Sequence, residues 1–95
     1  MVIRSFKDRN TKQFFENEKI PRKIGWAFVN KIAKRKLDML HYAKNLQDLK
    51  SPPSNWLERF KGDLKGYYSI RINNQWRIIF EWDIEPFNVK IIEYH

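Results

Sequence analysis

From Tyr67 to Trp82 the chain alternates apolar and polar residues on both sides of an Asn-rich break. Tyr68, Ile70 and Ile72 precede it, and Trp76, Ile78, Phe80 and Trp82 follow it. A period of two marks two strands of a hairpin. A two-residue turn at Asn73-Asn74 pairs Ile70 with Arg77 and mixes the two faces. A three-residue loop, Asn73 to Gln75, pairs Ile72 with Trp76 and Ile70 with Ile78, because register sets the face of every side chain. That register also sets Arg71 directly opposite Arg77, which is destabilising unless something anionic lies between them.

Upstream, Val2 to Phe6 reads as a short strand. Asn10 and Gln13 have the spacing of a capping box that opens a short helix through Phe14, Phe15 and Glu18, and Pro21 stops it. Between about Arg22 and Leu46, Val29, Ile32, Ala33, Leu37, Leu40 and Ala43 recur at three- and four-residue spacing and predict one long amphipathic helix. The connector "SPPSN", Ser51 to Asn55, cannot continue that helix. A loop at Lys61–Gly66 leads into the hairpin, and a turn at Asp83–Pro86 leads into a last strand from Phe87 to Tyr94. Helices before strands predict a single α+β domain over residues 1–95, with the helices on one face of a small, mainly antiparallel sheet. The face with Tyr68, Ile70, Ile72, Trp76, Ile78 and Phe80 is expected to bury against the helical stripe. Arg71 and Arg77 are then expected on an open, concave side.

Composition narrows the function. The 95 residues are 42% hydrophobic and 16% aromatic, enough for one small core. Residues 1–50 hold 13 basic and 5 acidic side chains and residues 51–95 hold 6 of each, so the net charge of +8 lies in the first half. Such a balance favours a polyanionic partner. With two His and no Cys, neither a disulfide framework nor a zinc site is expected. No apolar run has the length of a signal peptide or a membrane span, which makes cytoplasm the expected location and a membrane partner unexpected.

The segment "FKGDLKGYYSIRINNQWRIIFEW", the opening "IRSF", "RKLDML" in the long helix, "LKSPP" before the sheet and the ending "IIEYH" resemble the HigB branch of the RelE/ParE toxin superfamily, over nearly the whole chain. The resemblance implies the RelE-like fold and the toxin of a type II toxin–antitoxin system. It implies a ribosome-dependent endoribonuclease that cuts mRNA in the A site without metal or cofactor, by attack of a ribose 2′-OH on the adjacent phosphorus. It also implies a helix-turn-helix, HigA-like antitoxin, through whose complex alone the toxin meets operator DNA. Such a reaction needs a base for the 2′-OH, cations around the phosphorane and an acid for the leaving oxygen.

Carried over residue by residue, the resemblance puts Arg77 on the scissile phosphate, where a planar fork suits an oxygen pair. It gives catalytic roles to the terminal Tyr94 and His95, to Glu93, which replaces an aspartate of the pattern and is expected to share the face of His95, and to Lys61. Arg71 stands where some members have a lysine acid; a guanidinium is a poor proton donor, so it is assigned to phosphate binding, with Lys65 in the same loop. Glu58 stands where some members have a histidine, and is the candidate base. Tyr67, on the arginine face, is the aromatic expected to stack on a nucleotide, whereas Trp56, Trp76, Phe80 and Trp82 read as core or partner contacts. His41 reads as a packing residue of the long helix. Lys31, Lys34 and Arg35 lie off the apolar stripe and are candidates for anchoring on ribosomal RNA; from the charge run alone a solvated helix face is equally compatible. Rival readings are a gyrase poison of the ParE branch and a non-catalytic ribosome-binding protein.

Overall fold

The computed structural model describes residues 2–59 and 66–94. Its elements are α1 (Arg9–Asn17), α2 (Asn30–Tyr42), β1 (Glu58–Arg59), β2 (Tyr68–Arg71), β3 (Trp76–Asp83) and β4 (Glu85–Glu93), with short 3-10 turns at Gly25–Val29, Leu46–Lys50 and Pro53–Asn55. Among the described residues the strands form one antiparallel sheet in the order β1-β2-β3-β4. This is the expected α+β architecture.

The hairpin register is the expected one, with Ile70 opposite Ile78 and Arg71 opposite Arg77. The loop supports it with side-chain oxygens: Asn73 Oδ1 accepts from the backbone N–H groups of Gln75 and Trp76, both at 2.8 Å, the local bonding that suits Asn to turns. The ladder closes with Ile72 N–H donating to the Trp76 carbonyl at 2.9 Å.

One face of this sheet packs on α2. Ala33, Leu37 and Leu40 are fully buried with Ile70, Ile78 and Phe80, so the 3.6-residue stripe and the two-residue alternation meet as one core. Gly25 is needed there: a Cβ would stand 2.4 Å from the ring of Trp76, so the chain approaches that ring only without a side chain.

Three local expectations are corrected. The long helix is shorter than its pattern: Ile24 is extended, residues 25–29 form a 3-10 turn, and α2 runs only from Asn30 to Tyr42. The apolar spacing persists through the 3-10 turn because side chains three apart share a face there too. At α1, Asp8 rather than Asn10 is the N-cap, and its side chain makes no capping bond. Residues 2–6 are not a full strand. A parallel bridge joins Phe6 to Val89, and backbone bonds run between Val89 N–H and Ser5, Lys7 N–H and Val89, and Arg4 N–H and Pro86. This segment covers the outer edge of β4, whose bulge at Asn88 (φ 52°) sits between the Ile79–Lys90 and Glu81–Phe87 pairs.

Candidate active-site cleft

Direct pairing puts side chains on one face of a sheet, so Glu58 opposite Ser69 and Arg71 opposite Arg77 define a single polar face. Ser69 and Arg77 are diagonal neighbours on it. Arg77 Nε donates to Ser69 Oγ at 2.9 Å, and Nη2 donates to the Trp56 carbonyl at 2.7 Å. Nη1 stands 3.6 Å from the Glu58 carboxylate, and the Tyr94 ring lies 5.2 Å from the guanidinium carbon. Arg77 is 4% exposed. The face is therefore not open at this arginine, as alternation alone led one to expect. Trp56 and Tyr94, neither on the hairpin, close over it.

Burial pushes the Arg77 guanidinium below its ordinary pKa, since desolvation disfavours the cation, while Glu58 and the Tyr94 oxygen favour it and Arg71 opposes it. The clash of like charges is resolved locally. Arg71 turns to donate to Asn74 Oδ1 and lies over the ring of Trp56 at 5.2 Å, while Arg77 takes Glu58 as its ion-pair partner.

These groups surround a cleft of about 320 Å³, lined among the described residues by Trp56, Glu58, Arg71, Asn73, Asn74, Arg77 and Tyr94. Four residues singled out from the sequence thus meet: Arg77, Arg71, Glu58 and Tyr94. Two others do not. Glu93 pairs with Trp76, so its side chain belongs to the other face, and its carboxylate accepts from Gln75 Nε2 at 2.7 Å; two-residue alternation from Tyr94 already separates it from the arginines. Tyr67 is on the arginine face but only 7% exposed, and its hydroxyl accepts from Lys7 Nζ at 3.3 Å. It presents no free ring to a nucleotide. Lys61, Lys65 and His95 lie outside the described residues.

On α2, Lys31 and Arg35 are exposed, whereas Lys34 is ion-paired with Asp38 at 2.8 Å and lies over Phe15. His41 packs as expected: its Nδ1 accepts the Ile3 N–H at 3.2 Å, against Phe15.

Sequence reading missed the framework under the cleft. Lys36, 4% exposed on α2, donates to Asn55 Oδ1 at 2.5 Å, and the amide of Asn55, fully buried, donates to the carbonyls of Leu49 and Ser51. Asn55 immediately precedes Trp56, whose carbonyl anchors Arg77. The spacing of Lys36, three residues after Ala33 and four before Leu40, puts it on the apolar stripe and could have marked it as buried, and the diagonal from Ser69 to Arg77 follows from the register and was legible.

The profile described as HigB-like toxin, RelE-like toxin of type II toxin-antitoxin system HigB, matches residues 4–95. The chain is 44% identical over 77 residues to Toxin HigB-1 of Vibrio cholerae serotype O1, covering 81% of this chain and 80% of that protein. It is also 38% identical over 65 residues to an uncharacterized protein of Haemophilus influenzae, covering 68% of this chain and 64% of the other. A whole-length family match, the RelE-like arrangement of helices on an antiparallel sheet and a cleft built on the expected arginines agree: this chain belongs to the HigB-like toxins of type II toxin–antitoxin systems.

Proposed function

We propose that this toxin is an mRNA endoribonuclease that acts on the ribosome. The observation that carries the proposal is the buried Arg77 at the wall of the cleft, with Nε and Nη2 tied to protein acceptors. A cation held this way needs no reorganisation when charge develops on a phosphorane oxygen, and a site partly closed to water strengthens the interaction. Its Nη1 edge, beside Glu58, is the edge that meets the scissile phosphate, and Arg71 binds a flanking phosphate.

In the reaction the 2′-oxygen bonds to phosphorus as its proton passes to a base, for which Glu58 is the candidate in the cleft. The bond to the 5′-oxygen breaks, that oxygen takes a proton from an acid, and a 2′,3′-cyclic phosphate remains. His95 is the candidate acid, since an imidazole exchanges protons near neutrality. Tyr94, ring-on to Arg77, orients the guanidinium, and Lys61 and Lys65 add cationic contacts to the RNA backbone. Exposed Lys31 and Arg35, with Lys34 as a weaker contributor because of Asp38, dock the helical side on ribosomal RNA through phosphate contacts that position without reading sequence. A type II toxin has a cognate antitoxin; here we assign a HigA-like, helix-turn-helix one, and operator DNA is reached only through that complex.

The test uses a defined mRNA, free and in ribosomes stalled with an empty A site, with wild type and Arg77→Ala. Cleavage on the ribosome alone, ending in cyclic phosphate and reduced at least about 100-fold in the variant, is the expected result. A folded wild type that cuts in neither setting sinks the nuclease reading and favours gyrase poisoning or plain ribosome binding.

A further inference from the structure

Four tryptophans occur in the chain, and they are not placed alike. Trp26 is 2% exposed, Trp76 and Trp82 pack against the core, and Trp56 is 59% exposed. Trp56 is the one that lines the cleft. Its backbone is in the left-handed region, φ 49°, which is unusual for a bulky residue, costs free energy and persists only where its surroundings enforce it. Those surroundings are visible. The 3-10 turn Pro53–Asn55 is anchored by buried Asn55, the Trp56 N–H donates to the Pro53 carbonyl at 3.0 Å, and the Trp56 carbonyl holds Arg77 Nη2. The guanidinium of Arg71 lies over the indole, while more than half of the residue stays accessible. A large apolar ring on an anchored stretch of backbone thus lines a polar cleft.

We infer that Trp56 is the stacking platform for a base next to the phosphate held by Arg77, the role that the alternation pattern assigns to Tyr67. The inference rests on the proposed nuclease function and adds to it a contact to the base. Two physical arguments support it. One residue joins the phosphate site, through its carbonyl, to the ring, so a nucleotide whose phosphate meets Arg77 has its base within reach of the indole. And an exposed indole stacks favourably on a base of any identity, because every base has a planar π face. Trp56 therefore strengthens binding without choosing the letter read.

The experiment compares wild type with Trp56→Phe, Trp56→Leu and Trp56→Ala on ribosome-bound mRNA, using substrates in which the nucleotide on either side of the cut is in turn made abasic. Binding is measured in parallel on an mRNA with a 2′-deoxy residue at the cut, which cannot react. The expected result is a loss of about 5- to 150-fold in Trp56→Ala and Trp56→Leu, appearing in KM and in affinity for the 2′-deoxy mRNA, with Trp56→Phe close to wild type. One of the two abasic substrates should penalise wild type by a similar factor and leave Trp56→Ala unaffected. Equal behaviour of the Phe, Leu and Ala variants, or an abasic penalty that is the same with and without the indole, overturns the inference. The two readings fail separately. Cleavage that ignores Trp56 keeps the nuclease and removes the platform, whereas binding that depends on Trp56 without any cleavage keeps the platform and removes the nuclease.

Discussion

Among the described residues the helical half and the sheet half each bury one cation to the same degree, and they treat it differently. Lys36 of α2 and Arg77 of β3 are both 4% exposed. Lys36 is held by a single side-chain acceptor, Asn55 Oδ1, and among the described residues it is in no ion pair. Arg77 is held by Ser69, by the Trp56 carbonyl and by Glu58, and it borders a cleft. Burial lowers the pKa of both. The guanidinium retains its charge because it starts far higher, spreads that charge over a plane and shares it among several acceptors. The ammonium of Lys36 serves structure, clamping the loop that presents Trp56. The guanidinium lines the cleft, and the proposed reaction uses it there.

The largest expected effect tests that division. Arg77→Lys keeps a charge but cannot span Ser69 and Trp56 together, so cleavage on the ribosome should fall about 100-fold or more. Lys36→Met should fall far less. Equal losses in single-turnover assays would mean that the two cations are not functionally distinct.

A smaller effect concerns the clamp. Asn55→Ala removes the acceptor of Lys36 and two donors in a fully buried place, and should cost about 1–3 kcal/mol in urea unfolding. A change under about 0.5 kcal/mol, within the range of ordinary surface substitutions, would show that the clamp does not hold the loop.

The smallest is a pH effect. The Lys36 pKa is lowered from 10.5 in the folded protein, first by desolvation and then by Arg35. Between the lowered value and 10.5 the unfolded chain binds the proton more tightly, so stability rises with pH through that window. Wild type should therefore gain on Lys36→Met as the pH is raised toward 10.5, as read from urea midpoints. A constant or shrinking difference contradicts the burial of a charged amine.

Much of this protein was legible in its residues. Alternation and helical spacing named the core, and the Asn-rich loop set the register, because a slip of one residue turns every side chain of a strand to the other face. From that register follow the opposed arginines and the diagonal bond from Ser69. Motif likeness led to the family and to Glu58 and Tyr94 in the cleft. Periodicity could not separate a 3-10 turn from the first turns of α2, since both place side chains three apart on one face.

What only the tertiary structure decided were the contacts made by residues with no periodic partner. Trp56 and Asn55 lie in an irregular connector where no repeat constrains direction, so their roles depend on where that connector crosses the sheet and α2. The partner of Lys36 depends on that crossing as well, for helical spacing puts this lysine on the apolar stripe but only the connector supplies the Asn55 oxygen that receives it. The burial of Tyr67 and the exposure of Trp56 have the same cause. Alternation says which face a side chain takes, but what lies above that face is set by distant chain, and here Trp56 and Tyr94 close over the arginine while Lys7 reaches Tyr67.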